Sequence, residues 1–265
     1  MSNFIEIDDR YVDVDFSKEP EFVFGDTGPN TFGDYCDFFE DSEELYSEEQ
    51  IREACEMQEE NGSNEWFVRR IRDQMREGSC VGQAGAALFE TMLNQHLGKA
   101  NGIDISSMSM YKQIGRSASS GASVSDCYEC MQEVGFLPLD TPANRERFGD
   151  HVMADTGFST RFPDGWKETA AKFRAPGGKL IRSLPGMKTA LAKGRMVQVG
   201  REGHSILYLG IRYRNGRYTV PYVNSWRVTW GQAMGNHKGG FGWDTESQIK
   251  KSASWACTID SAFLN

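Results

Sequence analysis

No stretch of this 265-residue chain approaches the roughly 18 consecutive apolar residues that a membrane-spanning helix needs. The opening MSNFIEIDDRYVDVDF is acidic where a secretory leader would be basic and then apolar. No membrane association and no signal-peptide export are expected; a cytoplasm or the inside of a virus-like particle is the expected location. Histidine is scarce, with four residues, and no second cysteine or histidine pair completes a zinc ligand set around Cys127 and Cys130. Those two cysteines lie three apart on a helical pattern with Val124 and Val134, so they read as core. The six cysteines are scattered rather than spaced as a disulfide framework, which points to a reducing compartment. APGGKL is glycine-rich but lacks the Walker spacing and its following Ser or Thr, so no nucleotide site is read there. Neither a metal nor an organic cofactor is expected.

Basic residues are nearly missing from the first quarter of the chain. Residues 1–65 hold 21 Asp and Glu against 3 Lys and Arg, whereas the remainder holds 17 against 26. Solvating disordered tails are poor in aromatics, yet this segment carries Phe4, Tyr11, Phe16, Phe22, Phe24, Phe32, Tyr35, Phe38, Phe39 and Tyr46. It is expected to act as a strap on the basic body, a propeptide, or a tether to a larger assembly. The basic run RRIRDQMR is read as surface answering this acidic segment, not as a nucleic-acid contact.

Pattern divides the rest. Ser47 and Gln50 form a capping signature for a short acidic helix ending near Gly62, and the domain boundary is placed there: 1–62 as extension, 63–265 as the main domain. CVGQAGAALFETMLNQHLG reads as a largely buried helix from Cys80 to its stop at Gly98, with Val81, Ala84, Leu88 and Met92 along one stripe. SVSDCYECMQEVG gives another helix from Ser123 to Gly135, and further helices fall around DGWKETAAKFRA and LPGMKTALAKG. After Gly194 the segments RMVQVG, HSILYLGIRYR, RYTVPYVNSW and SWACTID are β-rich. Helices first and strands later predict an α+β domain of two lobes.

A lone Cys opening a helix, a lone His heading a strand and a lone Asn ending one are each ordinarily structural. Here DQMREGSC, GHSILYLG and NSWRVTWG occur in that order and bring Gln74, Cys80, His204 and Asn224 into one set. Over roughly residues 63–265 the chain resembles the papain-like cysteine peptidases. That resemblance implies a two-lobe fold, with the nucleophile on a central helix of the helical lobe and His and Asn on the antiparallel β-rich lobe. It implies Cys80 as nucleophile, His204 as acid and base, Asn224 as the residue that orients the imidazole, and Gln74 as oxyanion donor. Trp226 would shelter the His–Asn bond, and Gly121, Gly203, Ser205 and Trp226 would line the substrate site. The reaction implied is endopeptidase hydrolysis of a peptide or protein through a thioester on Cys80. A binding protein that keeps the fold without turnover, and an amidase or transferase using the same thiol chemistry, are the alternatives.

Three positions depart from the family pattern. Glu77 stands where a bridged cysteine is usual and would bring negative charge toward the thiol. Met75 replaces a glycine after the oxyanion glutamine. Val81 replaces a bulky aromatic after the nucleophile.

Overall fold

Ser47 opens the first long helix with a reciprocal cap. Its N–H donates to Gln50 Oε1 at 2.8 Å, and its Oγ accepts from Gln50 N at 3.2 Å, so two backbone donors of the first turn are satisfied locally. The computed structural model describes residues 6–18, 25–27, 44–61 and 64–262. Cys36 and the aromatics Phe4, Phe22, Phe24, Phe32, Tyr35, Phe38 and Phe39 lie outside the described residues.

The helices are α1 (Glu48–Asn61), α2 (Cys80–Leu97), α3 (Ser107–Ile114), α4 (Val124–Glu133), α5 (Pro142–Phe148), α6 (Trp166–Ala170), α7 (Leu184–Ala192) and α8 (Glu246–Ser252). The strands are β1 (Gly178–Ile181), β2 (Val197–Arg201), β3 (His204–Tyr208), β4 (Arg212–Arg214), β5 (Arg217–Val223), β6 (Gln232–Met234), β7 (His237–Thr245) and β8 (Ala253–Ile259). They form one antiparallel sheet in the order β1-β8-β2-β3-β5-β7-β6, with β4 paired to β5. The architecture is α+β, helical before it is β-rich.

Two apolar clusters lie under these layers. The first joins Val81, Leu88 and Phe89 of α2 to Met108 and Tyr111 of α3, Cys127 of α4, and Leu207 of β3. Small residues let α2 approach its neighbours closely: a Cβ at Gly82 would meet Tyr111 Cβ at 2.8 Å. The second cluster packs Met187 and Leu191 of α7 with Tyr208, Tyr222 and Trp226, and it takes in Phe16, Ile51, Ala54 and Cys55. Packing therefore crosses the expected boundary at Gly62: α1 and residue 16 share the core of the β-rich lobe. Lys188 meets Glu48 at 2.6 Å and Arg214 meets Glu59 at 2.8 Å, which ties the same surfaces.

Three arginines of the basic run pair within the main domain, a correction to their reading as surface. Arg69 pairs with Asp104 at 2.8 Å, Arg70 with Asp155 at 2.7 Å, and Arg72 with Glu90 at 2.9 Å. Arg72 is 3% exposed, and Glu90 also accepts from Ile105 N at 2.7 Å. These partners belong to the helical lobe, and the cluster fixes the approach of the chain to Gln74. Glu90→Ala should destabilise the protein by about 2–3 kcal/mol, because it removes the nearer carboxylate of a guanidinium that keeps only Asp155 and the Ile105 carbonyl, and strands the buried Ile105 N–H. Chemical denaturation at neutral pH measures this.

Candidate active site

Cys80 is the first residue of α2 and is completely buried. His204 heads β3 and Asn224 follows the end of β5. The strands β3 and β5 are hydrogen-bonded neighbours, so the sheet brings the two residues together. The His204 Nε2–H group donates to Asn224 Oδ1 at 2.8 Å, and that oxygen also accepts from Ser225 N at 2.7 Å. Asn224 itself is held by Gly240 O, which accepts from its N–H at 2.9 Å. Trp226 stacks on the imidazole with centroids 4.6 Å apart and planes 26° apart. The backbone N–H groups of Ser205, Gly25 and Val81 each favour the Cys80 thiolate. Ser205, which follows His204 directly, lies with Cys80 where α2 packs against β3.

The acidic segment passes over this point. Gly25 O accepts from Ala122 N at 2.6 Å, Ala122 O accepts from Thr27 N at 2.9 Å, and Gly203 O accepts from Asp26 N at 2.8 Å. Residues 25–27 thus bond to both walls, as a strand would, with a parallel bridge between Asp26 and Ala122. Gly25 is required by the close approach: a Cβ there would lie 1.9 Å from Gly78 O. Gly121 faces the same crossing, since a Cβ on it would meet Gly25 O at 2.5 Å, and its φ is +69°. The Asp26 carboxylate reaches Ser254 Oγ at 3.4 Å.

This enclosure sets the charges. Burial, and then the Asp26 carboxylate, push the Cys80 thiol up to about 12, against the pull of the three backbone N–H groups. Burial lowers His204 to about 4; the Asn224 bond opposes the shift and Arg201 adds to it. With residues 25–27 seated as they are, both groups are therefore neutral at pH 7. An imidazole held neutral while the unfolded chain titrates near 6.5 makes stability pH-dependent. Above pH 6.5 neither state is protonated and the contribution is whole. As the pH falls toward 4 the unfolded state gains a proton that the folded state does not. The strapped protein should lose up to about 3 kcal/mol over that interval. Thermal unfolding at pH 7.5, 6 and 5 tests this, and His204→Gln should flatten the dependence.

The remaining expected residues are placed as follows. Gln74 is fully buried; its Oε1 accepts from Ser225 Oγ at 2.7 Å and its Nε2 donates to Glu77 O at 2.9 Å. Gln74 N also donates to Ser225 O at 2.9 Å. These bonds fasten the loop before Cys80 to the segment after Asn224. The Gly203 carbonyl accepts from Asp26 N, and Ser205 is buried beside the thiol. Trp226 is enclosed by His204, Phe16 and Trp230.

The Glu77 carboxylate turns to Gly157 N and Phe158 N at 2.9–3.2 Å, and the acidic group acting on Cys80 is Asp26 instead. Met75 takes φ +55°, the left-handed conformation that a glycine would adopt without strain. Val81 packs in the core and offers its carbonyl to Gln198 Nε2 at 2.9 Å. Ala122, Gly25, Asp26 and Phe16 border the site without any motif to mark them. Only the aromatic content of the acidic segment hinted at the last.

No protein-family model and no curated protein matches the chain. Solved structures do. Xylellain, a cysteine protease from Xylella fastidiosa, aligns with a TM-score of 0.53 at 20% identity, over 72% of this chain and 82% of its own. A procathepsin B from Trypanosoma congolense aligns at 0.54 and 14% identity, over 94% and 89%. A recombinant stem bromelain precursor aligns at 0.61 and 13% identity, over 95% and 80%. At these identities the likeness shows the fold, which is papain-like.

Proposed function

We propose that the chain is a cysteine endopeptidase and that the form described here is shut by its own residues 25–27. The observation that carries the reading is the buried His204–Asn224 pair, set against a helix-opening Cys80 beneath a cleft that already holds peptide backbone. A strand that bonds to Ala122 and Gly203 uses donors and acceptors that a substrate peptide could use in its place.

With the strap lifted, water and substrate reach the thiol, the Asp26 charge leaves, and the proton of Cys80 can pass to His204 Nδ1. The helix N-terminus and the imidazolium then favour the thiolate. The sulfur attacks the carbonyl carbon of the scissile bond. The Cys80 N–H and the side-chain amide of Gln74 receive the developing oxyanion. The imidazolium gives its proton to the leaving nitrogen as the C–N bond breaks, leaving a thioester and a free amine. Water then loses a proton to His204 and attacks the thioester, the C–S bond breaks, and the carboxylate product leaves. Asn224, bonded to Nε2, holds the ring in the tautomer that these transfers need.

The experiment is product analysis. A protein substrate incubated with an opened variant should yield new α-amino and α-carboxyl termini that Cys80→Ala does not produce. Release of ammonia from side chains, or transfer to an added amine alone, would move the assignment to an amidase or transferase. The complete burial of Cys80 and its neutral thiol favour a second reading, a binding protein that keeps the fold without turnover. Absence of any Cys80-dependent product in the opened form supports that one.

A further inference from the structure

We infer that residues 6–18 are a lasting part of the catalytic lobe, distinct in role from the strap at 25–27, and that Phe16 is a positioning residue for His204. The inference rests on reading Cys80, His204 and Asn224 as a working site.

Phe16 is wholly buried and stands nearly perpendicular to both members of the His204–Trp226 stack. Its centroid lies 4.9 Å from that of His204 at 76°, and 5.1 Å from that of Trp226 at 79°. It also meets Tyr222 at 6.1 Å. The ring therefore closes the side of the stack and, with Trp226, limits the tilt open to the imidazole. Its own place is fixed by Arg201, whose guanidinium lies 4.4 Å from the ring centroid. Arg201 is fully buried, pairs with Asp244, donates to Ser252 Oγ at 3.1 Å, and donates to the carbonyl of Val14. Removing the segment would strip this cation of a carbonyl and an aromatic face in the interior, which a folded lobe tolerates poorly.

Further bonds run along the segment. Asp13 N donates to Trp243 O at 2.9 Å, and its carboxylate accepts from Thr245 N and Oγ1, both at 2.9 Å. Asp8 N donates to Gln232 Oε1 at 2.9 Å, and Phe16 N to Glu202 Oε2 at 3.3 Å. By contrast, the crossing at 25–27 touches the cleft walls through main-chain bonds and the Asp26 carboxylate. The two parts of the acidic segment are built for different fates.

The test uses the full chain carrying Gly25→Leu, which cannot seat its strap, as the parent. Phe16→Ala, Phe16→Leu and Asp13→Ala are compared in that background. Arg201, paired with Asp244, is the charged group that acts on His204; Glu202 holds Phe16 N, Asp26 bonds to Gly203 when the strap is seated, and Tyr222 faces the Phe16 ring. None of these is altered. Phe16→Ala should lower kcat about tenfold or more with KM held within about twofold. It should also raise the alkaline limb of the pH profile by about half a unit, as water reaches the imidazole. Phe16→Leu should shift both in the same direction but less. Asp13→Ala should lower Tm while leaving kcat and the limb in place.

Unchanged kcat and pH profile in a folded Phe16→Ala protein overturn the inference. So does loss of folding in Phe16→Leu as well as in Phe16→Ala, which makes Phe16 a folding residue only. If the parent shows no turnover, the pH dependence of Cys80 alkylation by iodoacetamide replaces kcat. A single ordinary thiol titration in the parent then defeats the catalytic reading itself. A paired, two-limb profile that the Phe16 variants leave unmoved defeats only the role of Phe16.

Discussion

Gly25→Leu is expected to raise the rate of Cys80 alkylation by iodoacetamide at pH 7 about a thousandfold. A thiol pushed to about 12 is ionised at pH 7 only to the extent of about one part in 100,000, whereas an exposed thiol of ordinary pKa is ionised to a few per cent. The side chain introduced at residue 25 has nowhere to go. Its Cβ would lie 1.9 Å from Gly78 O and 2.4 Å from Gly78 C, both backbone atoms of the loop that delivers the nucleophile. The strap must lift, taking with it the Asp26 carboxylate and the three main-chain bonds to Ala122 and Gly203. Asp26→Asn separates the two causes: it removes the charge but leaves the crossing seated, so its effect should be much smaller. Peptide cleavage should rise in parallel with alkylation. A Gly25→Leu protein that alkylates no faster than the natural chain would mean that the crossing at 25–27 does not control access to the thiol.

In that opened form, His204→Gln and Cys80→Ala should each reduce kcat/KM by about ten-thousandfold or more. In the proposed mechanism the two residues act as one unit, since there the sulfur depends on the imidazole for its ionisation and the leaving group depends on it for a proton. The double variant should consequently be no slower than the slower single one. Residual activity in Cys80→Ala within a hundredfold of the parent would point to a nucleophile elsewhere. Multiplication of the two losses in the double variant would mean that the residues act in separate steps. Progress curves on one peptide substrate, with the four proteins side by side, read both outcomes.

Much of the site was legible because its signals are local. The helix from Cys80 to Gly98 carries its own stop and its own apolar stripe, and α1 carries its capping residues at Ser47 and Gln50. The order of Gln74, Cys80, His204 and Asn224 needs no tertiary knowledge to notice. What remained hidden depends on partners far along the chain. Residues 178–181 form a strand only because β8 pairs with them. The glycine-rich HKGGFGWDT stretch is not among the β-rich segments of the pattern, yet it is a nine-residue strand held between β5 and β6.

The GDT around Asp26 reads as punctuation until Ala122 is brought beside it. Arginines 70 and 72 read as surface because their carboxylates, Glu90 and Asp155, lie 18 to 85 residues away. Phe16 is the clearest case. Its aromatic character was visible, but nothing local identifies His204, 188 positions on, as the ring it would meet.

The central claim, that Cys80 is an activated thiol in a peptide-binding cleft, is tested most directly by mass spectrometry after incubation with a peptide-like epoxysuccinyl inhibitor near neutral pH. The natural chain, Gly25→Leu and Cys80→Ala are labelled in parallel and digested, so that each of the six cysteines is read separately. The expected result is a single adduct on Cys80, slow or absent in the natural chain, rapid in Gly25→Leu and missing in Cys80→Ala. Labelling of the opened form with no preference for Cys80 over the other cysteines would contradict the claim.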